Sequence, residues 1–206
     1  FTGFFINIGL FAHLVIMWVG PLQVQVQGLF VGAPYHDVPA LVAFLTILVT
    51  TVNFVVSVEV NFYPKYKNYY SLFNDKGAVG DITQAGEEML KVLNVELKYT
   101  ALKQLLATAL AISLGGLLLE YLMEGYFRTL CVGYGIYAVA NTILLLLLYF
   151  TDYKGALAAS GCFAGGTVLF TVISLFFPRV YYGFGFLTGS AVFFLIAAFR
   201  LDYYTK

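Results

Sequence analysis

Long apolar runs fill most of the chain, and one extended polar stretch interrupts them. Six runs, 4–20, 39–60, 100–119, 129–150, 156–177 and 181–199, are long and greasy enough to be membrane helices. A bilayer core of about 30 Å takes about 20 apolar residues in helical form. The runs show no apolar-out, polar-in alternation, so spanning strands of a β-barrel are excluded. The interruption, EVNFYPKYKNYYSLFNDKGAVGDITQAGEEMLKVLNVELK at 59–98, gathers Glu59, Lys65, Lys67, Asp75, Lys76, Asp81, Glu87, Glu88, Lys91, Glu96 and Lys98.

Inside that interruption the pattern is helical twice over. Phe62, Tyr66, Tyr69 and Phe73 recur at helical spacing, with Pro64 near that helix's start or at a kink. Gly77 and Gly80 supply a turn. Asp81 and Gln84 then offer an N-cap and its capping-box partner. Ile82, Ala85, Met89, Leu93 and Leu97 continue as an apolar stripe. Glu87 and Lys91 stand one turn apart in the favourable order. No breaker separates this stripe from the third run, which predicts one long helix, amphipathic first and membrane-embedded afterwards. The expected fold is an all-α integral membrane bundle of six spans, a single domain over 1–206, with a cytoplasmic helical hairpin at about 61–98. That extension reads equally as an inert connector or as a docking surface.

Composition agrees: 61% of residues are hydrophobic, 11% are charged and the mean hydropathy is +0.85. A soluble domain has about 25% charged residues. The formal net charge is zero, so no nucleic-acid partner is indicated. Lys and Arg give the orientation. Placing the interruption in the cytoplasm puts Lys154, Arg200 and Lys206 there too, and leaves Arg128 and Arg179 outside. Trp18, Tyr121, Tyr126, Tyr181 and Tyr182 then form an outer aromatic belt, with Tyr149, Tyr153, Tyr203 and Tyr204 inside. Both ends are expected in the cytoplasm. The outer connection 20–38, broken by Gly28, Gly32, Pro34 and Pro39, reads as a surface loop. The chain opens on Phe1 within an apolar run, which reads as part of a longer polypeptide.

Chemistry-bearing residues are sparse. There is no phosphate loop, no His-Glu-x-x-His and no pair of carboxylates within a span, so a self-contained enzyme, a metal site and a cofactor are not expected. Cys131 and Cys162 read as packing residues. Asn7, His13 and Asn53 are the candidates for a substrate path, since polar groups in spans face a bundle interior or a watery cavity. The simpler reading of the two asparagines is interhelical hydrogen bonding. Asn7 and His13 stand six apart and need not share a face. His36 lies on another element. Glu59, near the interface, is placed to pair with Lys65 or Lys67. Gly161 and Gly165 form a small-xxx-small motif in the fifth span, expected to pack tightly, with homodimerisation through this face as the weaker alternative. Gly183 and Gly185 mark the entrance to the sixth.

Residues 59–70, Glu59-Val-Asn-Phe62-Tyr63-Pro-Lys65-Tyr66-Lys67-Asn-Tyr69-Tyr70, followed by Gly77 and Gly80, resemble the signature phrase of the Pel exopolysaccharide transporter family, PelG. Asn7-Ile-Gly9-Leu-Phe-Ala-His13, ending at Trp18, is similar to that family's first span, and Arg200-Leu-Asp-Tyr-Tyr-Thr to its closing phrase. Where the family often carries an acidic–basic pair, this chain has His13-Leu14, and the basic partner is absent. The resemblance implies the C-terminal lobe of a two-lobe exporter in the multidrug/oligosaccharidyl-lipid/polysaccharide flippase superfamily, in a bacterial inner membrane, moving a Pel-like polysaccharide during biofilm matrix synthesis. It further implies a preceding N-terminal lobe, a cytoplasmic glycosyltransferase, and membrane scaffold and regulatory partners. Glu59, Phe62, Tyr63, Lys65, Tyr66, Lys67, Tyr69, Tyr70, Glu87 and Glu88 are then the docking candidates. A flippase for a lipid-linked oligosaccharide and a non-transporting scaffold of a synthase complex are the rival readings.

Overall fold

The computed structural model describes residues 1–74, 77–118 and 126–205. They form a helical bundle in the order α1 (Thr2–Val19), a β1–β2 ribbon (Val24–Gln27 and Phe30–Gly32), α2 (Pro34–Leu45), α3 (Ile47–Ser57), a π-helical turn (Val58–Phe62) and α4 (Tyr63–Asn74). Then come α5 (Val79–Leu118), α6 (Tyr126–Tyr149), α7 (Tyr153–Ser174), a 3₁₀ turn (Arg179–Tyr181) and α8 (Phe184–Thr205). Among the described residues, five helical stretches are long and apolar enough to cross a membrane: Thr2–Val19, Pro34–Asn74, Tyr126–Tyr149, Tyr153–Ser174 and Arg179–Thr205. The expected third span, 100–119, falls on the C-terminal half of α5, and its last residue lies outside the described residues, as do Tyr121, Asp75, Lys76 and Lys206.

Helix α6 is the central pillar. In its most apolar window 72% of residues are buried, against 22% for α1. Phe163 of α7, Phe186 and Phe193 of α8, and Tyr134 and Tyr137 of α6 build the aromatic centre, with Phe163 and Phe193 stacked at 4.9 Å. Helices α7 and α8 approach closely because glycine meets threonine there. A Cβ on Gly185 or Gly189 would overlap the backbone of Thr171 or Thr167. Small residues of this kind let membrane helices come together where no water-driven force operates.

Several elements depart from the sequence expectations. The connection 20–38 is not a plain loop. It holds an antiparallel ribbon pairing Val24 with Gly32 and Gln25 with Val31, turned at Gly28, whose φ is +59°. Pro34 and Pro39 are helical rather than breakers: Pro34 occupies the first turn of α2, where its missing N–H costs nothing, and Pro39 lies inside. An internal proline frees the carbonyl four residues back. That carbonyl, on Tyr35, accepts from the Tyr126 hydroxyl, which explains why the helix survives Pro39. Tyr126 and Tyr182 are therefore buried rather than members of a belt.

Asp81 does not cap α5, which begins two residues earlier at Val79. The Gly161–Gly165 face, expected to pack within the bundle, is open, with nothing near enough to meet an added Cβ. Cys131 is buried as expected, whereas Cys162 is exposed.

Helices α4 and α5 lie antiparallel. Lys65 bonds Glu88 at 2.8 Å, Asn61 donates to Glu96 at 2.8 Å, and the Tyr69 ring lies over Gly86. Ala85, Met89 and Leu93 of the expected stripe are buried. The run from Pro34 to Asn74 counts 41 residues, a contour of about 60 Å at the helical rise. A bilayer core takes about half of that, so this stretch is longer than one crossing needs.

Candidate functional site

Three polar constellations stand out against the apolar bundle. The first lies at the ribbon end, where four helices meet. His13 of α1 and His36 of α2 are both fully buried, with ring centroids 5.2 Å apart at 66°. His13 Nε2 and the Tyr134 hydroxyl of α6 share a hydrogen bond of 3.1 Å. Phe186 of α8 covers the His13 ring at 4.6 Å, and Tyr126 of α6 stacks on His36 at 5.9 Å. Neither nitrogen of His36 meets a hydrogen-bonding partner among the described residues, and His13 Nδ1 makes only a loose contact with the Leu10 carbonyl one turn back. The pair is held by local chemistry at its rim. Asp37 accepts from Trp18 Nε1 at 3.1 and 3.0 Å and from the Ala33 N–H at 3.0 Å, tying the end of α1 to the start of α2.

The second constellation is a ladder between α3 and α5. Thr50 donates to Gln104 Oε1 at 2.5 Å, and Gln104 donates to Thr108 at 3.1 Å. One turn away, Asn53 donates to Thr100 at 3.1 Å and accepts from the Lys103 ammonium. Thr50, Gln104, Thr100 and Thr108 are buried, while Lys103 stays exposed, so the ladder opens to the surface at its Asn53–Lys103 rung. A groove of about 460 Å³ runs beside it, lined by Gln104 and Thr108 and otherwise by apolar groups such as Leu105, Val139 and Phe194.

The third lies on the α4–α5 pair. Phe62 is buried, and its ring meets Tyr66, Tyr149 and Phe150 at 5.8 to 6.3 Å. Tyr66 donates to the Tyr149 carbonyl at 3.2 Å and its ring neighbours Tyr70 at 4.5 Å. Tyr69 is half-buried against α5. These rings thus fix the pair to the bundle, leaving Glu59, Tyr63, Lys67, Tyr70 and Glu87 as its exposed members. Lys65 pairs with Glu88 rather than with Glu59, and Glu87 does not close on Lys91; among the described residues the ion pairs are Lys65–Glu88 and Asp152–Arg200. The Lys65 ammonium holds the Glu88 carboxyl below its ordinary range.

The path candidates are not brought into one site. Asn7 is exposed and donates to its own helix at Gly3, at 2.8 Å. His13 is buried with α6, and Asn53 faces α5. Sequence reasoning missed His36, Tyr134, Gln104 and Lys103. A Lys within a span was the available signal for Lys103; for His36 there was none, because its partner sits on another helix.

The fold and these sites define a predominantly helical, multi-pass membrane protein whose polar groups are clustered rather than scattered. The chain belongs to the PelG family, described as "Putative exopolysaccharide Exporter (EPS-E)", which it matches over residues 1–206. That description names an exporter, a transporter class rather than an enzyme class. No curated protein and no solved structure matches the chain.

Proposed function

We propose that this chain is the C-terminal lobe of a two-lobe exporter that carries a Pel-like polysaccharide across the bacterial cytoplasmic membrane during biofilm matrix synthesis. The observation that carries this reading is the family match over 1–206. The polar rung of Asn53 and Lys103, open to the surface of the α3–α5 face, supports it. Amide and ammonium groups there suit the hydroxyls and acetamides of a sugar chain. In this reading that face turns toward the other lobe, and alternating access arises between the lobes. The α4–α5 pair is cytoplasmic and receives the synthase glycosyltransferase and its membrane scaffold through Lys67, Tyr63, Tyr70 and Glu87.

Two measurements test the proposal. Asn53→Ala with Lys103→Ala in the full-length protein lowers polysaccharide secretion at least tenfold while membrane abundance holds; unchanged secretion removes these residues from the path. Lys67→Glu with Glu87→Lys weakens co-purification of the glycosyltransferase. The exchange Lys65→Glu/Glu88→Lys, which keeps the internal ion pair with its polarity reversed, separates docking from folding. Co-purification unaffected by all of these overturns the docking assignment.

A further inference from the structure

We propose that His13 and His36 form a proton-binding centre, and that charging it parts the ribbon ends of α1 and α2 from α6. This goes beyond the export reading and does not need it. Both rings are wholly buried and in contact; neither nitrogen of His36 meets a partner among the described residues, and His13 Nδ1 has only a loose contact with the Leu10 carbonyl of its own helix. Each neutral imidazole keeps one lone pair able to take a proton. Buried polar atoms are ordinarily bonded, so a buried imidazole with neither nitrogen bonded, set against a second buried ring, calls for an explanation.

The surroundings decide what a proton would do. The titratable groups that face the pair are Tyr134 and Tyr126, both from α6. From α8 the contact is Phe186. On α2 the nearest carboxylate in sequence, Asp37, is already committed to Trp18 and Ala33; Glu120 and Glu124 lie outside the described residues. The closed centre therefore has no described anion placed to neutralise an imidazolium, and a second proton would set like charges ring to ring. Flanking aromatic faces offset part of the desolvation cost of a buried cation, and hydration offsets far more. Proton uptake consequently favours whichever conformation wets the pair. The contacts that must give are the His13–Tyr134 bond between α1 and α6 and the Tyr126–Tyr35 bond between α6 and α2, and the Trp18–Asp37 tie at the rim moves with them.

The chain's single tryptophan is thus a reporter at the rim of the site. Full-length protein in neutral-lipid vesicles, without polysaccharide, is titrated from pH 8 to pH 3.5, and the emission of Trp18 is taken as the difference from a Trp18→Phe variant. The expected result is a sigmoid change in the wild type and none in His13→Gln/His36→Gln. Asp37 is intact in that variant, so its own titration is controlled. His36→Gln alone, which keeps His13 and its Tyr134 bond, shifts the midpoint by about tenfold in proton concentration, about one pH unit. A wild type that is flat over this range overturns the proposal. So does an unchanged midpoint in His36→Gln, a readout that stands even where the double variant fails to fold. Secretion is measured separately, so loss of export and loss of proton binding are distinguishable.

Discussion

Asp152 joins two elements through one carboxylate. It accepts the Gly155 N–H at 3.1 Å, capping α7, and both Arg200 Nε and Nη2 of α8 at 2.5 and 3.0 Å. Thr151 before it takes φ +62° to make the tight turn, and a side chain at Gly155 would collide with this pair. The Arg200 guanidinium holds the Asp152 carboxyl below the usual carboxylate range. A depressed value means the contribution to stability is complete above the unfolded carboxylate value near about 4 and fades as pH falls through the lower folded value. Asp152→Asn should therefore destabilise the neutral protein by about 1–2 kcal/mol, a modest figure because Arg200 is partly exposed. Thermal unfolding should show the difference from wild type shrinking on acidification below about pH 4; a constant difference would mean the charge is not the cause. Such single residues were hard to read in sequence. His13 was visible as an ionisable group in a span, but His36 sits on another helix, and only tertiary packing brings them together.

At the scale of elements, legibility followed periodicity. The stripe Ala85, Met89, Leu93 announced the first half of α5, and its burial against α4 is what the spacing demanded. Proline was misread, because a breaker inside a helix is tolerated where a distant side chain such as Tyr126 satisfies the freed carbonyl. The π turn at Val58–Phe62 had no compositional mark at all. Glycines were read for the wrong partner: Gly161 and Gly165 stayed open, while Gly185 and Gly189 seat α8 on α7. Gly189→Leu is accordingly expected to force these helices apart, costing at least about 3 kcal/mol by overpacking. Gly165→Leu, on the open face, should cost under about 0.5 kcal/mol. Unfolding midpoints of the two variants in detergent make the comparison, and equal losses would refute this account of the packing.

For the whole molecule, the ribbon and the α4–α5 tip lie at opposite ends of the Pro34–Asn74 stretch, which is longer than one crossing needs. If the tip is cytoplasmic, a full-length protein freed of Cys131 and Cys162 gives a clear labelling pattern. Leu29→Cys, in the exposed turn of the ribbon, should react with an impermeant maleimide in intact cells, and Gly80→Cys only after permeabilisation. The reverse pattern inverts the orientation, and labelling of both from one side rejects the spanning arrangement. The apolar runs made the helical membrane class readable from hydropathy, with five stretches among the described residues long and apolar enough to cross, where six runs were expected. How far the polar stretch would stand out from the bundle was not readable, since that depends on α2, α3 and α4 joining without a gap.

Helix α5 runs from Val79 to Leu118 without interruption, carrying Glu87 and Glu88 near one end and Thr100, Lys103 and Gln104 past its middle. A rod with no hinge does not absorb rotation. Under the proposed docking, a partner gripping the Glu87 end acts on the same unbroken helix that carries Lys103, about 24 Å away at the helical rise, and Asn53 on neighbouring α3 meets that motion through its bonds to Thr100 and Lys103.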